Sequence, residues 1–174
     1  LFMLESGSHG TLCASAISAQ GVIDDGRVLG MAPNATISSI GNHYSGGHSL
    51  DAWRFIAEGY DGDPSTPDQP HIGSFSFGYS SVDDSGSDGY SLYLDWLTRV
   101  YNSNASYAVA IGNGGHGFGT TKVPGAAHGV FSVGAFSSRS SDSWGQSAPW
   151  SNRGPNVVGR MDPDIVSVGW SATG

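Results

Sequence analysis

The sequence predicts an α/β fold, a three-layer parallel sheet with helices on both faces. Strand-like apolar runs alternate with amphipathic runs along the 174 residues, an order that favours parallel strands joined by crossover helices. Residues 106–112 are almost continuously apolar, which is typical of a strand covered on both faces. With 38% hydrophobic residues, the chain can bury one core, and no repeat or linker divides it.

Composition excludes several classes of function. The formal net charge is −8 and the pI is about 4.8, so a nucleic-acid partner is not expected. No apolar run is long enough to span a bilayer. Cys13 is the single cysteine, which rules out an internal disulfide, and we interpret it as a small buried helix residue. The sequons at Asn34 and Asn104 fit a secreted or surface protein.

The first predicted helix begins near His9, which stands among small residues. Thr11 is the predicted helix cap, because its hydroxyl can accept from a free backbone amide. An imidazole at a helix start and open to a cleft suits a general base, since histidine in general can take up and release a proton near neutral pH. A structural histidine is the alternative. A short strand is predicted at residues 35–40.

Two amphipathic helices and three further strands follow. We predict helices from Ser49, as N-cap, to about Tyr60 and over residues 91–101. The inward residues predicted for the first are Leu50, Trp53, Ile56, Ala57 and Tyr60, and for the second Tyr93, Trp96, Leu97 and Val100. Strands are predicted over residues 71–78, 106–112 and 129–135. Gly78 and Asn113 then lie at carboxyl ends of strands, where ligands bind in such sheets.

Metal sites are weakly indicated. Two acidic loops, one with Asp61 and Asp63 and one with Asp83, Asp84 and Asp88, could hold calcium, but solvated loops are the favoured interpretation. His43 and His48 match no common ligand spacing.

Six stretches, in order along almost the whole chain, resemble the subtilisin-like serine peptidases, or subtilases. They are His9-Gly10-Thr11, Gly30-Met31-Ala32-Pro33-Asn34-Ala35, Ser76-Phe77-Gly78, Ala110-Ile111-Gly112-Asn113, Ser151-Asn152-Arg153-Gly154-Pro155 and Pro163-Asp164-Ile165-Val166. Asn113-Gly114-Gly115 with the later Pro124-Gly125-Ala126 is similar to the pyrolysin-like, surface-associated branch.

The resemblance implies a serine endopeptidase of subtilisin-like fold. His9 would be the general base and Asn113 the side-chain oxyanion donor. Lys122 would lie near the base of the pocket, where it biases cleavage toward acidic side chains or plugs the pocket; a surface lysine is the alternative. The implied substrate-binding edge is Ser76, Phe77 and Gly78, and the facing pocket wall is Ala110, Ile111 and Gly112.

The family's nucleophilic serine motif and its triad aspartate have no counterpart here. We therefore expect residues 1–174 to be the central portion of a subtilase catalytic domain, completed by remaining segments of the same protease and acting on polypeptides outside the cell or at its surface. A catalytically inactive subtilase-like module for binding or assembly is the alternative, and an unrelated α/β binding protein is a third. No cofactor is required. Calcium is expected only because the resemblance to the family implies it.

Overall fold

The computed structural model describes residues 9–41, 46–79, 85–115, 117–137 and 144–170. The chain falls into two units. The first comprises Leu1–Ser39 and Ala172–Gly174, and the second comprises Ile40–Ser171.

The first unit is built on α1, His9–Ser18. A helix end leaves its last carbonyls without intrahelical partners, and here the returning chain supplies them. Met31 N donates to Ala16 O (3.1 Å) and Ala32 N to Ile17 O (2.7 Å). A Cβ on Gly30 would lie 2.5 Å from Ser18 N, so only glycine fits this close approach.

Three details of this unit differ from the predictions. Thr11 lies inside α1 and is not its cap, because the helix already begins at His9. Cys13 is half-buried, not buried. The predicted strand at residues 35–40 is wrong, since these residues are irregular and exposed. Residues with β-propensity form a strand only where a neighbouring strand gives them a half-buried, pleated surface. Within the described part of the chain, no strand pairs with residues 35–40.

The second unit is a parallel four-stranded sheet in the order β1-β2-β3-β4, which confirms the predicted α/β class. Its helices are α2, Gly46–Glu58, and α3, Gly89–Trp96, which continues as a π-helical turn over Leu97–Tyr101. The strands are β1 Ile72–Phe75, β2 Ser106–Ala110, β3 Phe131–Ser137 and β4 Ile165–Trp170.

The core of this unit lies between one face of the sheet and the two helices. Trp53 of α2 packs edge-on against Phe75 at 6.1 Å, and the Tyr107 hydroxyl donates to Trp53 O (2.8 Å). Burial raises the pKa of Tyr107, so this donor keeps its proton. Leu94 and Leu97 are fully buried, and each contributes about 1.5–3 kcal/mol.

The helix faces are partly as predicted. Trp53, Ile56 and Ala57 are buried, whereas Tyr60 lies beyond α2 and is 65% exposed. α2 begins at Gly46, so Ser49 is an interior residue and not the N-cap.

In the α3 region, Trp96 and Val100 are 42% and 73% exposed, which overturns their predicted inward positions. Leu97 is buried as predicted, whereas Leu94, which is also fully buried, is not among the predicted inward residues. Apolar residues form two overlapping rows on this helix, so spacing alone does not decide which row is buried.

Glu58 at the end of α2 receives two charge-assisted hydrogen bonds. Arg54 Nε donates to its Oε1 at 2.7 Å, and the Tyr101 hydroxyl donates to the same oxygen at 2.5 Å. Burial raises the pKa of Glu58, but the bonds from Tyr101 and Arg54 outweigh burial and leave the pKa lowered. The carboxylate thereby joins α2 to the turn that follows α3.

Glu58→Gln should therefore destabilise the fold in a pH-dependent way. Because folding lowers this pKa, the contribution is complete above the carboxyl's unfolded value and disappears as the pH falls through the folded value. We expect a loss of about 1 kcal/mol at neutral pH, since Arg54 is largely exposed. Denaturant titrations at several pH values measure it. Asp51→Asn on the same helix is the control, and a pH-independent difference for Glu58→Gln would contradict the assignment.

Candidate active site

The predicted substrate-binding segments lie together at the carboxyl ends of β1 and β2. These strands pair in parallel, with Phe75 opposite Val109, so the residues after each strand leave the sheet at the same edge. Ser76, Phe77 and Gly78 follow β1, while Ala110 ends β2 and Ile111 and Gly112 follow it. The two predicted walls are therefore neighbours.

Lys122 lies between these two walls. Its backbone N donates to Ile111 O (3.1 Å), and the next residue, Val123, accepts from Tyr79 N (2.7 Å). A Cβ built on Gly78 would lie 3.8 Å from Lys122 Cβ, and one on Gly112 would lie 3.1 Å from it. The Lys122 side chain is half-buried, and no carboxylate among the described residues pairs with it.

Phe77 has a ring that is anchored against neighbouring aromatic residues. Its ring packs edge-on against Phe75 (5.8 Å) and Tyr79 (6.1 Å), as part of the shell around the core. The flanking residues Ser76 and Gly78 are exposed. The aromatic anchor thus holds an exposed stretch of main chain in place beside β1.

Asn113 follows β2 on a glycine-rich loop. Gly112, directly before it, has a φ of +108°, a conformation that glycine adopts without a steric penalty. The Asn113 side chain is exposed and has no hydrogen-bond partner within the described residues, so its amide can donate to a bound molecule.

Asn152, which was not predicted as a site residue, contacts the loop that carries Asn113. It is 1% exposed, and its carboxamide contacts the loop on both sides of Asn113: Oδ1 accepts from Gly114 N (2.5 Å) and Nδ2 donates to Ile111 O (3.1 Å). The only sequence signal was its place in the motif Ser151-Asn152-Arg153-Gly154-Pro155.

His9 is the first residue of α1 in the first unit, whereas the other predicted site residues belong to the second unit. The imidazole is exposed. Its Nε2 lies 3.7 Å from the sulfur of Cys13, one helical turn later on the same face. Any two residues four apart in a helix lie this close, so the contact between His9 and Cys13 does not indicate a functional pair.

No three potential metal-ligating side chains cluster in the described ranges. Asp88 caps α3, accepting from Tyr90 N and Ser91 N. Asp61 and Asp63 accept from backbone amides within their own loop. Asp83, Asp84 and His43 and the side chain of His48 lie outside what is described. Calcium binding stays a prediction.

The described helices are all too short or too polar to cross a bilayer.

Comparison with known proteins gives one consistent family. The model of the subtilase family matches residues 3–174. Serine protease AprX of Bacillus subtilis (strain 168) is 27% identical over 172 residues, which cover 95% of this chain and 38% of AprX.

Solved structures agree with the sequence relatives. Sphericase superposes with a TM-score of 0.67 at 25% identity, over 92% of this chain and 52% of its own. A psychrophilic protease superposes with a TM-score of 0.70 at 23% identity, over the same shares of the two chains, which supports the fold. The chain thus spans about half the length of these structures and 38% of AprX. The pyrolysin-like branch stays a prediction.

Gly112→Ala should cost more stability than Gly115→Ala. Both glycines have positive φ, +108° and +102°, so both variants carry about 1–2 kcal/mol of backbone strain. A Cβ at Gly112 would also lie 2.3 Å from Asn152 Nδ2, whereas one at Gly115 meets nothing within 4 Å. We expect an extra loss of about 1–3 kcal/mol for Gly112→Ala, measured by denaturant unfolding. Equal losses would show that the Asn152 side chain moves aside freely.

Proposed function

Because the chain belongs to the subtilase family, we propose that residues 1–174 form the central portion of the catalytic domain of a serine endopeptidase. The enzyme hydrolyses peptide bonds of extended polypeptides through an acyl-enzyme. The observation that carries this proposal is the exposed carboxamide of Asn113. It follows the carboxyl end of β2, next to the carboxyl end of β1.

The proposed mechanism divides the work between two named residues and the remaining segments of the protease. A serine outside residues 1–174 attacks the peptide carbonyl carbon while His9 takes its proton. Asn113 donates to the oxygen that gains negative charge. The C–N bond then breaks, and the protonated His9 gives its proton to the leaving amine. A water molecule, activated by the same histidine, releases the acyl group. The triad aspartate also comes from outside residues 1–174, so these residues are inert by themselves.

Substrate would bind as an added strand along Ser76, Phe77 and Gly78. This mode takes its affinity from main-chain hydrogen bonds and tolerates many sequences. The half-buried ring of Phe77 supports it, because its contacts with Phe75 and Tyr79 anchor this stretch of backbone beside β1. Ala110, Ile111 and Gly112 form the facing wall of the pocket.

We also place the protease outside the cell or at its surface. The support is two exposed sequon asparagines, Asn34 and Asn104. No redox or nucleotide cofactor enters the mechanism.

Asn113→Ala should lower kcat about 10²–10³-fold, because an oxyanion donor acts on charge that develops only in the transition state. KM should change little. The measurement is peptide hydrolysis by the full-length protease that contains residues 1–174, with fluorophosphonate labelling to count active sites. Asn104→Ala, at another exposed asparagine, is the matched control.

An unchanged kcat in Asn113→Ala would remove the oxyanion assignment. A parent protein that neither hydrolyses peptides nor reacts with the probe, yet binds extended peptides, would instead be an inactive subtilase-like module.

Lys122→Met should remove a preference for acidic side chains before the scissile bond. Lys122 is the only lysine in the sequence, and methionine keeps its apolar stem without the ammonium. We expect the kcat/KM ratio for Glu over Ala substrates to fall about two- to fivefold, the scale of a partly exposed charge pair. Arg99→Met, which removes an exposed cation elsewhere, is the control. A cleavage profile that stays the same would identify Lys122 as a surface residue or a plug.

A further inference from the structure

The side chain of Asn152 lies under the loop that carries Asn113 and makes a hydrogen-bonded clamp on it. Oδ1 accepts from Gly114 N (2.5 Å) and Nδ2 donates to Ile111 O (3.1 Å). The backbone N of Asn152 donates to Gly112 O (3.0 Å). These three bonds bind the main chain on both sides of Asn113 and leave its side chain exposed.

A carboxamide is the group that this position requires. Asparagine offers one donor and one acceptor on a short planar side chain, whereas aspartate lacks the donor and leucine lacks both. Gly112 is the complementary element, because a Cβ there would lie 2.3 Å from Asn152 Nδ2. The clamp therefore depends on a glycine in the loop and an asparagine beneath it.

The segment that carries Asn152 is hydrogen-bonded to strand β3. Ser151 Oγ accepts from Ala135 N in β3 (3.0 Å), and Trp150 O accepts from Gly115 N (3.0 Å). Thr120 Oγ1 accepts from Arg153 N (3.1 Å) and lies 3.2 Å from Gly115 O. Residues 150–153 thus connect β3 to the glycine-rich loop at residues 112–115 and restrict the movement of that loop.

We propose that Asn152 is a positioning residue for the oxyanion donor Asn113, an inference that rests on the proposed peptidase function. It does not touch the substrate. It fixes the main chain from Ile111 to Gly114, so that the carboxamide of Asn113 meets the developing oxyanion without reorganisation. A displacement of about 1 Å in such a group can cost on the order of a hundredfold in rate.

A double-mutant cycle in the full-length protease tests the proposal. Asn152→Ala should lower kcat about tenfold or more, with a smaller change in KM. In an Asn113→Ala background the same substitution should lower kcat no further, because there is no donor left to position. Asn152→Asp, which keeps the shape and the acceptor but loses the donor, replaces Asn152→Ala in the cycle if the alanine variant does not fold.

Asn156→Ala is the matched control. Asn156 is also buried (4% exposed), and its Oδ1 accepts from Val158 N and Arg160 N. Its loss should reduce stability without coupling to Asn113, so any effect on kcat should be the same in both backgrounds.

Two outcomes would overturn the proposal separately. If Asn113→Ala lowers kcat but Asn152→Ala lowers it by the same factor in both backgrounds, Asn152 is only structural and the peptidase mechanism stands. If Asn113→Ala leaves kcat unchanged, the oxyanion assignment fails, and the role of Asn152 fails with it.

Discussion

Parallel pairing of β1 with β2 is the constraint on which the candidate site depends. The register that places Gly73 opposite Tyr107 and Phe75 opposite Val109 brings two loops out at one edge of the sheet. That register is fixed by burial, because one side of these strands packs under α2 and α3, and a slip of one residue would turn Tyr107 toward the other face. The same packing that stabilises the unit therefore aligns the walls beside Lys122.

The sequence predicted an element correctly where the spacing of its apolar residues matched both the period of that element and the face that the fold buries. The continuous apolar run that became β2 and the stripe with Trp53 and Ile56 could be interpreted from spacing alone. Predictions failed where two patterns competed. The helix over residues 89–101 carries overlapping apolar rows, so spacing placed Leu97 inward correctly but also placed Trp96 and Val100 inward, and it missed Leu94. The run at 35–40 has strand-like composition, but a strand also needs a neighbour that composition does not supply.

The candidate site divides in the same way. Asn113 and Gly78 could be located because both follow apolar runs, and strand ends are where ligands bind in parallel sheets. Asn152 could not be assigned a role, since it lies far from Asn113 in sequence and its function consists of contacts to main-chain atoms. A side chain that acts on the backbone of another segment leaves no periodic pattern, so its identity becomes meaningful only once the fold brings the segments together.

The contact between Gly112 and Asn152 has a consequence for how this chain can diverge. The space occupied by the carboxamide is the space that a Cβ at Gly112 would need, so Gly112 cannot gain a side chain while Asn152 is kept in place. A larger residue at the first position fits sterically beside the second only after the second has shrunk, and it would still carry the backbone strain of a positive φ. Two sites distant in the chain thus form an epistatic pair, and mutational libraries that vary them one at a time would miss the viable combinations.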